Sequence, residues 1–271
     1  VEVVLTEPSL FWLYDMAGSA GIVIDPDGYD TMATKPMGSG PFQFKNHRKG
    51  TSITLERNQE FWGTAQRIDE VTFRYFADPN AMNTAMLAGD LDIISNVAAP
   101  QALQQFQDKR FAILEGDTTG EVVLGFNHAN KLLAKRELRQ AICHAIDRPA
   151  LVKSVWGGKG RMIGSMVAPT DPWYQDLSKT YGFDPEKAGE LVKKSGYGGE
   201  TLRVRVPPLP YGPSAATFIT AQLKDVGITA TVEELDFPHW LDEVFTQGNY
   251  DMTIVAHVEP RDIVALSLIH I

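Results

Sequence analysis

The chain has 271 residues, 44% hydrophobic and 22% charged, an ordinary globular composition that excludes a wholly disordered or collagen-like chain. Its 25 basic and 34 acidic residues leave a net charge of −9, with no Lys/Arg block of the kind that meets nucleic acid. No run of eighteen apolar residues predicts a membrane helix, and the single cysteine, Cys143, excludes an internal disulfide or a multi-Cys zinc site.

At roughly 100–200 residues per domain, the length fits two domains or one large one. Val1, Val3 and Leu5 alternate with Glu2 and Val4 and predict a strand over 1–5. The chain does not begin with Met and opens on no signal-peptide pattern, so further sequence is expected upstream. Gly38-Ser39-Gly40-Pro41 marks a turn. Phe42-Gln43-Phe44 and residues 52–56 alternate on either side of His47-Arg48-Lys49-Gly50, which predicts a hairpin. Residues 71–76 read as another strand. Asp78-Pro79 is a cap followed by proline at the first helical position, Ala81, Ala85, Leu87 and Ala88 give the helix an apolar face, and Gly89 ends it. Residues 91–94 return as a strand, and Pro100 opens a short helix to Phe106.

Residues 121–126 predict a strand and 127–131 a loop. Leu138, Ala141, Ile142, Ala145 and Ile146 fall at helical spacing on one face. Asp147-Arg148-Pro149 separates that helix from one over 150–156, which stops at Gly157-Gly158. Residues 157–180 are loop-rich. Asp184-Pro185-Glu186 opens a helix that stops near Gly196. Strands at 201–206, 228–233 and 251–256 then alternate with helices at 214–226 and 238–246. That alternation predicts an α/β layer with some parallel pairing. The organisation is a β-rich piece, 1–125, followed by an α/β piece, 126–256, with no internal repeat. The end is unusual: Leu266-Ser267-Leu268-Ile269-His270-Ile271 back-translates to CTG TCT CTT ATA CAC ATC, a transposon-end adapter sequence. Residues 266–271 are therefore expected to be non-native. The alternative is an apolar strand cut short.

Enzyme signatures are missing. There is no Gly-x-Ser-x-Gly elbow, phosphate loop or His-Glu-x-x-His, and no two of the six histidines lie four apart on a helix. Cys143 and His144 are neighbours that point apart on a helix, so both read as residues beside the core. Glu233-Glu234 and Asp242-Glu243 read as solvated carboxylates. No catalytic residue, metal or cofactor is expected.

What remains suggests binding. Pro207-Pro208-Leu209-Pro210-Tyr211-Gly212-Pro213 follows a strand, and the carboxyl ends of strands are where α/β sheets place ligands. Trp240 opens the next helix. His257-Val258-Glu259-Pro260-Arg261-Asp262 follows the last strand. Glu259 or Asp262 could accept a ligand ammonium, and Arg261 could hold a carboxylate in a bidentate pair. The candidate ligand-binding residues are Tyr211, Trp240, His257, Glu259, Arg261 and Asp262. The same residues read equally well as turns with a local Glu–Arg pair.

Several segments, in order, resemble one family. Pro36-Met37-Gly38-Ser39-Gly40-Pro41-Phe42 is similar to its Pro-x-Gly-Thr-Gly-Pro-Tyr/Phe turn. Leu55-Glu56-Arg57-Asn58-Gln59-Glu60-Phe61-Trp62 is similar to its Leu-x-Arg-Asn-x-x-Tyr-Trp stretch. Ala85-Met86-Leu87-Ala88-Gly89-Asp90-Leu91-Asp92 resembles Ala-Leu-x-x-Gly-Glu-x-Asp. Phe126-Asn127, Leu138-Arg139-Gln140-Ala141-Ile142 and Ala145-Ile146-Asp147-Arg148 resemble its Phe-Asn, Val-Arg-Gln-Ala and Ala-Ile-Asp-Arg signatures. On these residues the chain resembles the extracytoplasmic solute-binding proteins of ABC importers, in the peptide- and nickel-binding class, family 5.

The resemblance implies an α/β, two-lobed, periplasmic-binding-protein-like fold of class II type, here incomplete at both ends. Residues 1–125 would belong mainly to the first lobe and 126–256 to the second. Residues 257–271 would return to the first, with crossover strands near 122–126 and 252–256. The loop 207–214 matches a cleft loop, and Trp240 matches an aromatic at the head of a helix. After Ala256, peptide binders carry Trp and then Asp; here His257 stands in the Trp position, with Glu259 or Asp262 as candidate acids, which leaves the peptide assignment open. The implied function is capture of a short peptide between the lobes and delivery to a membrane permease and its ATPase. Nickel complexes, opines and oligosaccharides are alternative ligands. A hydrolase using His257 with Glu259 is the alternative class. The expected protein is a monomer, periplasmic or tethered outside the membrane, with no nucleic-acid partner.

Overall fold

A computed structural model describes residues 2–10, 12–23, 26–95, 97 and 100–258. By contact the chain forms two compact units, Val1–Ile94 and Ser95–Ile271. Residues 95–125 therefore pack with the α/β segment that follows them.

The first unit begins with one helical turn, α1 (Trp12–Asp15), and 3₁₀ turns at Ser19–Gly21 and Pro26–Thr31. An antiparallel sheet follows in the order β1 (Phe42–Arg48), β2 (Ser52–Arg57), β3 (Glu70–Arg74). Its register aligns Phe44, Leu55 and Val71 in one row and His47, Ile53 and Phe73 in another, so one face is largely apolar, with His47 and Arg57 at its ends. The other face carries Thr54 and Thr72, whose hydroxyls meet at 3.1 Å. The register shifts between Phe44 and Asn46, a bulge in β1, and the Lys45 ammonium there reaches Glu70 at 2.6 Å. The hairpin matches the sequence pattern, although β1 runs on to Arg48 and the turn is shorter than expected. Helix α2 (Pro79–Ala88) starts as predicted: the Asp78 carboxylate accepts the Asn80 N–H at 2.9 Å. It ends at Gly89, whose φ of 87° suits a residue without a Cβ.

Two expected strands do not form. Residues 2–5 and 91–94 have no strand pairing among the described residues, and Val4 and Ile93 are largely exposed. Apolar alternation over four or five residues specifies a strand only where a neighbouring strand takes up its N–H and C=O groups.

The second unit opens with a 3₁₀ helix, Pro100–Phe106, as expected, and then β4 (Gly120–Phe126). Helices α3 (Arg136–Ala145), α4 (Arg148–Trp156) and α5 (Pro185–Ser195) precede β5 (Leu202–Val206), α6 (Gly212–Asp225) and β6 (Ala230–Glu234). The expected helix at 238–246 is one turn, α7 (Phe237–His239), running into a wider π-helix, Trp240–Thr246, before β7 (Met252–Val258). The sheet order is β4-β7-β5-β6: β5 is parallel to both β6 and β7, and β4 is antiparallel to β7. The predicted parallel pairing is thus present within a mixed sheet.

The core lies on one face of this sheet. Leu202, Val204 and Val206 are fully buried along β5, with Arg203 and Arg205 between them facing the other way. Against them pack Leu138, Ala141 and Ile142 of α3 and Ile219 and Leu223 of α6. Each such fully buried Leu or Ile contributes about 1.5–3 kcal/mol by leaving water. Asp147 caps α4 through Ala150 N–H at 3.0 Å, and Asp184 caps α5 through Lys187 N–H at 2.9 Å.

Candidate functional site

Parallel pairing places the carboxyl ends of β5, β6 and β7 at one edge of the sheet. Because β4 runs the other way, its first residues, from Gly120, arrive at the same edge. This is the edge at which α/β sheets bind ligands. A cavity of about 410 Å³ lies there, within the range of small-molecule sites. Its floor is Val122 and Leu124 of β4 and Ile254 of β7; Ile219 and Ala215 of α6 and Leu151, Val152 and Trp156 of α4 form its walls. The loop after α4 supplies Lys159, Arg161, Met162 and Ile163, and Asp117 and Thr118 come from the approach to β4.

The loop is held in place by α4. The Arg148 guanidinium donates to the carbonyls of Ile163 and Tyr181, each at 3.3 Å, and to that of Ser178. His144 Nδ1 lies 2.7 Å from the Gly182 carbonyl, and its ring meets Tyr181 edge-on. His144, read from the sequence as a residue beside the core, is thus buried and hydrogen-bonded. Lys159 is paired with Glu115 at 2.6 Å, and the Arg161 guanidinium lies over the Tyr174 ring at 5.8 Å. Beside His144, burial pushes the Cys143 thiol up, away from the thiolate a nucleophile needs.

Opposite faces of the β4–β7 pair look onto different spaces. A second cavity, about 620 Å³, lies over Val123, Gly125, Thr253 and Val255. Trp240, Phe245, His128, Tyr250 and His257 line it. The structure therefore brings two predicted residues, Trp240 and His257, to one cavity. Trp240 is buried there, its indole N–H donating to Thr253 Oγ1 at 3.2 Å and its ring stacked on Phe237. Tyr211 is also buried, stacked on Trp156 with centroids 6.0 Å apart. Its hydroxyl oxygen accepts the Ala256 N–H at 2.8 Å, beyond the end of β7's pairing with β5. Burial pushes the Tyr211 hydroxyl up, so it stays protonated. Tyr211 thus backs the wall of the first cavity through Trp156. Glu259, Arg261 and Asp262, and with them the predicted His257–Glu259 pair and the tail 266–271, lie outside the described residues.

Sequence reasoning missed Trp156, Arg148, Lys159 and Arg161. The Asp147-Arg148-Pro149 cap and the glycines after Trp156 were visible, but nothing local says that the loop they begin folds back over β4. The acidic pairs also need correction. Glu233 and Glu243 are not simply solvated: each places a carboxylate oxygen 2.7 Å from the Arg205 guanidinium. Among the described residues no group of three or more His, Cys, Asp or Glu could hold a metal ion, and no helix is long and apolar enough to cross a membrane.

The family model described as bacterial extracellular solute-binding proteins, family 5 middle region, matches residues 1–260. The chain belongs to this family. Its members are solute-binding proteins of transport systems rather than enzymes. A dipeptide-binding protein of Escherichia coli K12 is 27% identical over 256 residues, covering 89% of this chain and 48% of the relative. A solved structure of DppA from Helicobacter pylori with the peptide STSA is 25% identical, with a TM-score of 0.75, covering 88% of this chain and 48% of that one. AgaA of A. tumefaciens R10 with agropinic acid is 25% identical, with a TM-score of 0.76, covering 94% and 53%. The α/β, periplasmic-binding-protein-like fold expected from the sequence is therefore present. The chain spans about half the length of the family 5 relatives it matches.

Proposed function

We propose that this chain is part of the solute receptor of an ABC importer and that its solute is a short peptide. The observation that carries this reading is the cavity at the carboxyl edge of the second unit's sheet, apolar below and charged at its rim, in a family 5 chain. The apolar walls bind through burial, and a few placed charges orient the solute. In the whole protein, the first unit would contribute to one lobe, residues 126–256, with 95–125 packed beside them, to the other, and 257–271 to the return. Closure of those lobes would present the solute to a permease and its ATPase outside the membrane, with the receptor acting as a monomer. Of the expected ligand-binding set, Tyr211 would support this cavity from behind Trp156, Trp240 and His257 would act from the cavity on the opposite face of the β4–β7 pair, and Glu259, Arg261 and Asp262 complete the proposed set. The dipeptide-binding relative and the peptide-bound DppA support a peptide solute; AgaA with agropinic acid supports an opine as the second ligand.

Thermal melts with dipeptides, tripeptides, agropinic acid, a nickel–histidine complex and oligosaccharides separate these ligands. A peptide at about one hundred times its Kd is expected to stabilise the fold by about 2.7 kcal/mol. Mass spectrometry should recover the peptide intact. Peptide cleavage would instead establish the hydrolase, and stabilisation by agropinic acid alone would establish the opine receptor.

A further inference from the structure

We propose that Tyr211 is a positioning residue that couples the wall of the first cavity to the stretch of β7 that borders the second. The coupling stands on geometry; its use in solute capture rests on the receptor reading. Strand β5 stops at Val206, and β7 pairs with it only at Met252 and Thr253. Ala256 lies beyond that ladder, and the Tyr211 hydroxyl oxygen accepts its N–H at 2.8 Å. The residues on either side of Ala256, Val255 and His257, both line the second cavity. The Tyr211 ring meanwhile stacks on Trp156, with centroids 6.0 Å apart and planes 24° from parallel, and Trp156 lines the first cavity. One buried side chain thus joins the two.

The loop that carries Tyr211 fixes its backbone. Leu209 N–H donates to the Pro207 carbonyl at 2.8 Å, Gly212 N–H to the Leu209 carbonyl at 2.9 Å, and Ala215 N–H to the Tyr211 carbonyl at 2.9 Å. A Cβ on Gly212 would lie 3.0 Å from the Pro207 carbonyl oxygen, so the tight turn favours a residue without a side chain. With the backbone held, Tyr211 can move only by swinging its ring about the Cα–Cβ bond. That swing carries the hydroxyl away from Ala256, and the stack on Trp156 opposes it. A solute packed on Trp156 therefore keeps Tyr211 on Ala256 and stiffens β7 beside the second cavity. The coupling is reciprocal: a group that holds β7 there also steadies the Trp156 wall.

Amide exchange of the 271-residue chain tests the coupling without a ligand. Tyr211→Phe keeps the stacked ring and removes the acceptor. Exchange at Ala256 should rise about fivefold, as for the loss of one neutral hydrogen bond, while Val204 in β5 keeps its protection. Trp156→Leu leaves the hydroxyl but removes its support, and should raise exchange at Ala256 by a similar factor; Trp156→Phe, which can still stack, should bring it back towards wild type. In the Tyr211→Phe background Trp156→Leu should add nothing at Ala256, because the bond it acts through is already gone. Where a melt shows that Tyr211→Phe fails to fold, Gly212→Ala displaces the hydroxyl from the loop side and should give the same rise. No effect of Trp156→Leu at Ala256, or full additivity in the double variant, would overturn the proposal. Ala-Ala added to the wild type should slow exchange at Ala256, and should not do so in Tyr211→Phe; binding with Ala256 unchanged would overturn the role in solute capture. Failure of Ala-Ala to bind would count against the receptor reading, with the ligand-free exchange still deciding the coupling.

Discussion

Arg203 and Arg205 leave β5 on the face away from the core, and each is held by its own acids. Arg205 is mostly buried and lies 2.7 Å from both Glu233 and Glu243. Burial alone would lower its pKa, but the two carboxylates outweigh it and hold the pKa above the ordinary value. Arg205→Met should destabilise the second unit by about 1–3 kcal/mol in urea titration, because the half-exposed acids lose their shared partner. Arg203 and Asn130 meet the Asp251 carboxylate, which also accepts the Arg203 backbone N–H at 2.7 Å. Burial pushes the Asp251 carboxyl up, yet these hydrogen bonds prevail and hold it below the usual carboxylate range. Its contribution is therefore full above the unfolded value of about 3.9 and is lost as pH falls through the depressed folded value. Asp251→Asn should remove that acid-dependent loss from a stability–pH profile; an unchanged slope below pH 4 would assign the loss to other carboxylates. The acidic and Arg residues of this network are plain in the sequence, but their partnership is not, since 28 to 48 residues separate the paired charges.

At the scale of elements, the helix starts were the most legible feature. Asp78, Asp147 and Asp184 each precede a proline or Arg-Pro, and each caps its helix. Asp184→Ala should cost about 1 kcal/mol, read from the midpoint of denaturant unfolding. The strand tests fared differently. Residues 91–94 carry the same apolar character as paired strands but have no strand partner among the described residues, so their pattern is not expressed. The π-helix at Trp240–Thr246 was also hidden. Its composition suits an ordinary helix, and its widened turn accompanies the burial of Trp240 and Val244. The loop after α4 depends on Arg148 bonding three of its carbonyls. Arg148→Lys should loosen it, because one ammonium cannot reproduce a planar five-donor fork. Amide exchange across residues 159–163 should rise while the α3 core stays protected; equal protection in both proteins would remove Arg148 from that role.

For the molecule as a whole, the two units differ in how much they bury. Ile142 is fully enclosed in the second unit, whereas Phe73 of the first unit's sheet remains 55% exposed. Ile142→Ala should cost about 2–5 kcal/mol, and Phe73→Ala under about 1 kcal/mol, in parallel denaturation curves. The sequence by itself determined the α/β class, the alternation of strands and helices from β4 to β7, the caps of α2, α4 and α5 and the helix faces that enter the core. It also carried the family's motifs in order. These properties are local: they depend on spacing within a turn or a strand and on the residues that begin and end it. Only the tertiary structure decided that β7 lies between β4 and β5, that Tyr211 is buried against Trp156, and that the loop after α4 roofs an apolar cavity. Those outcomes join residues far apart along the chain. They follow from which surfaces gain most by leaving water together, a competition no single segment contains.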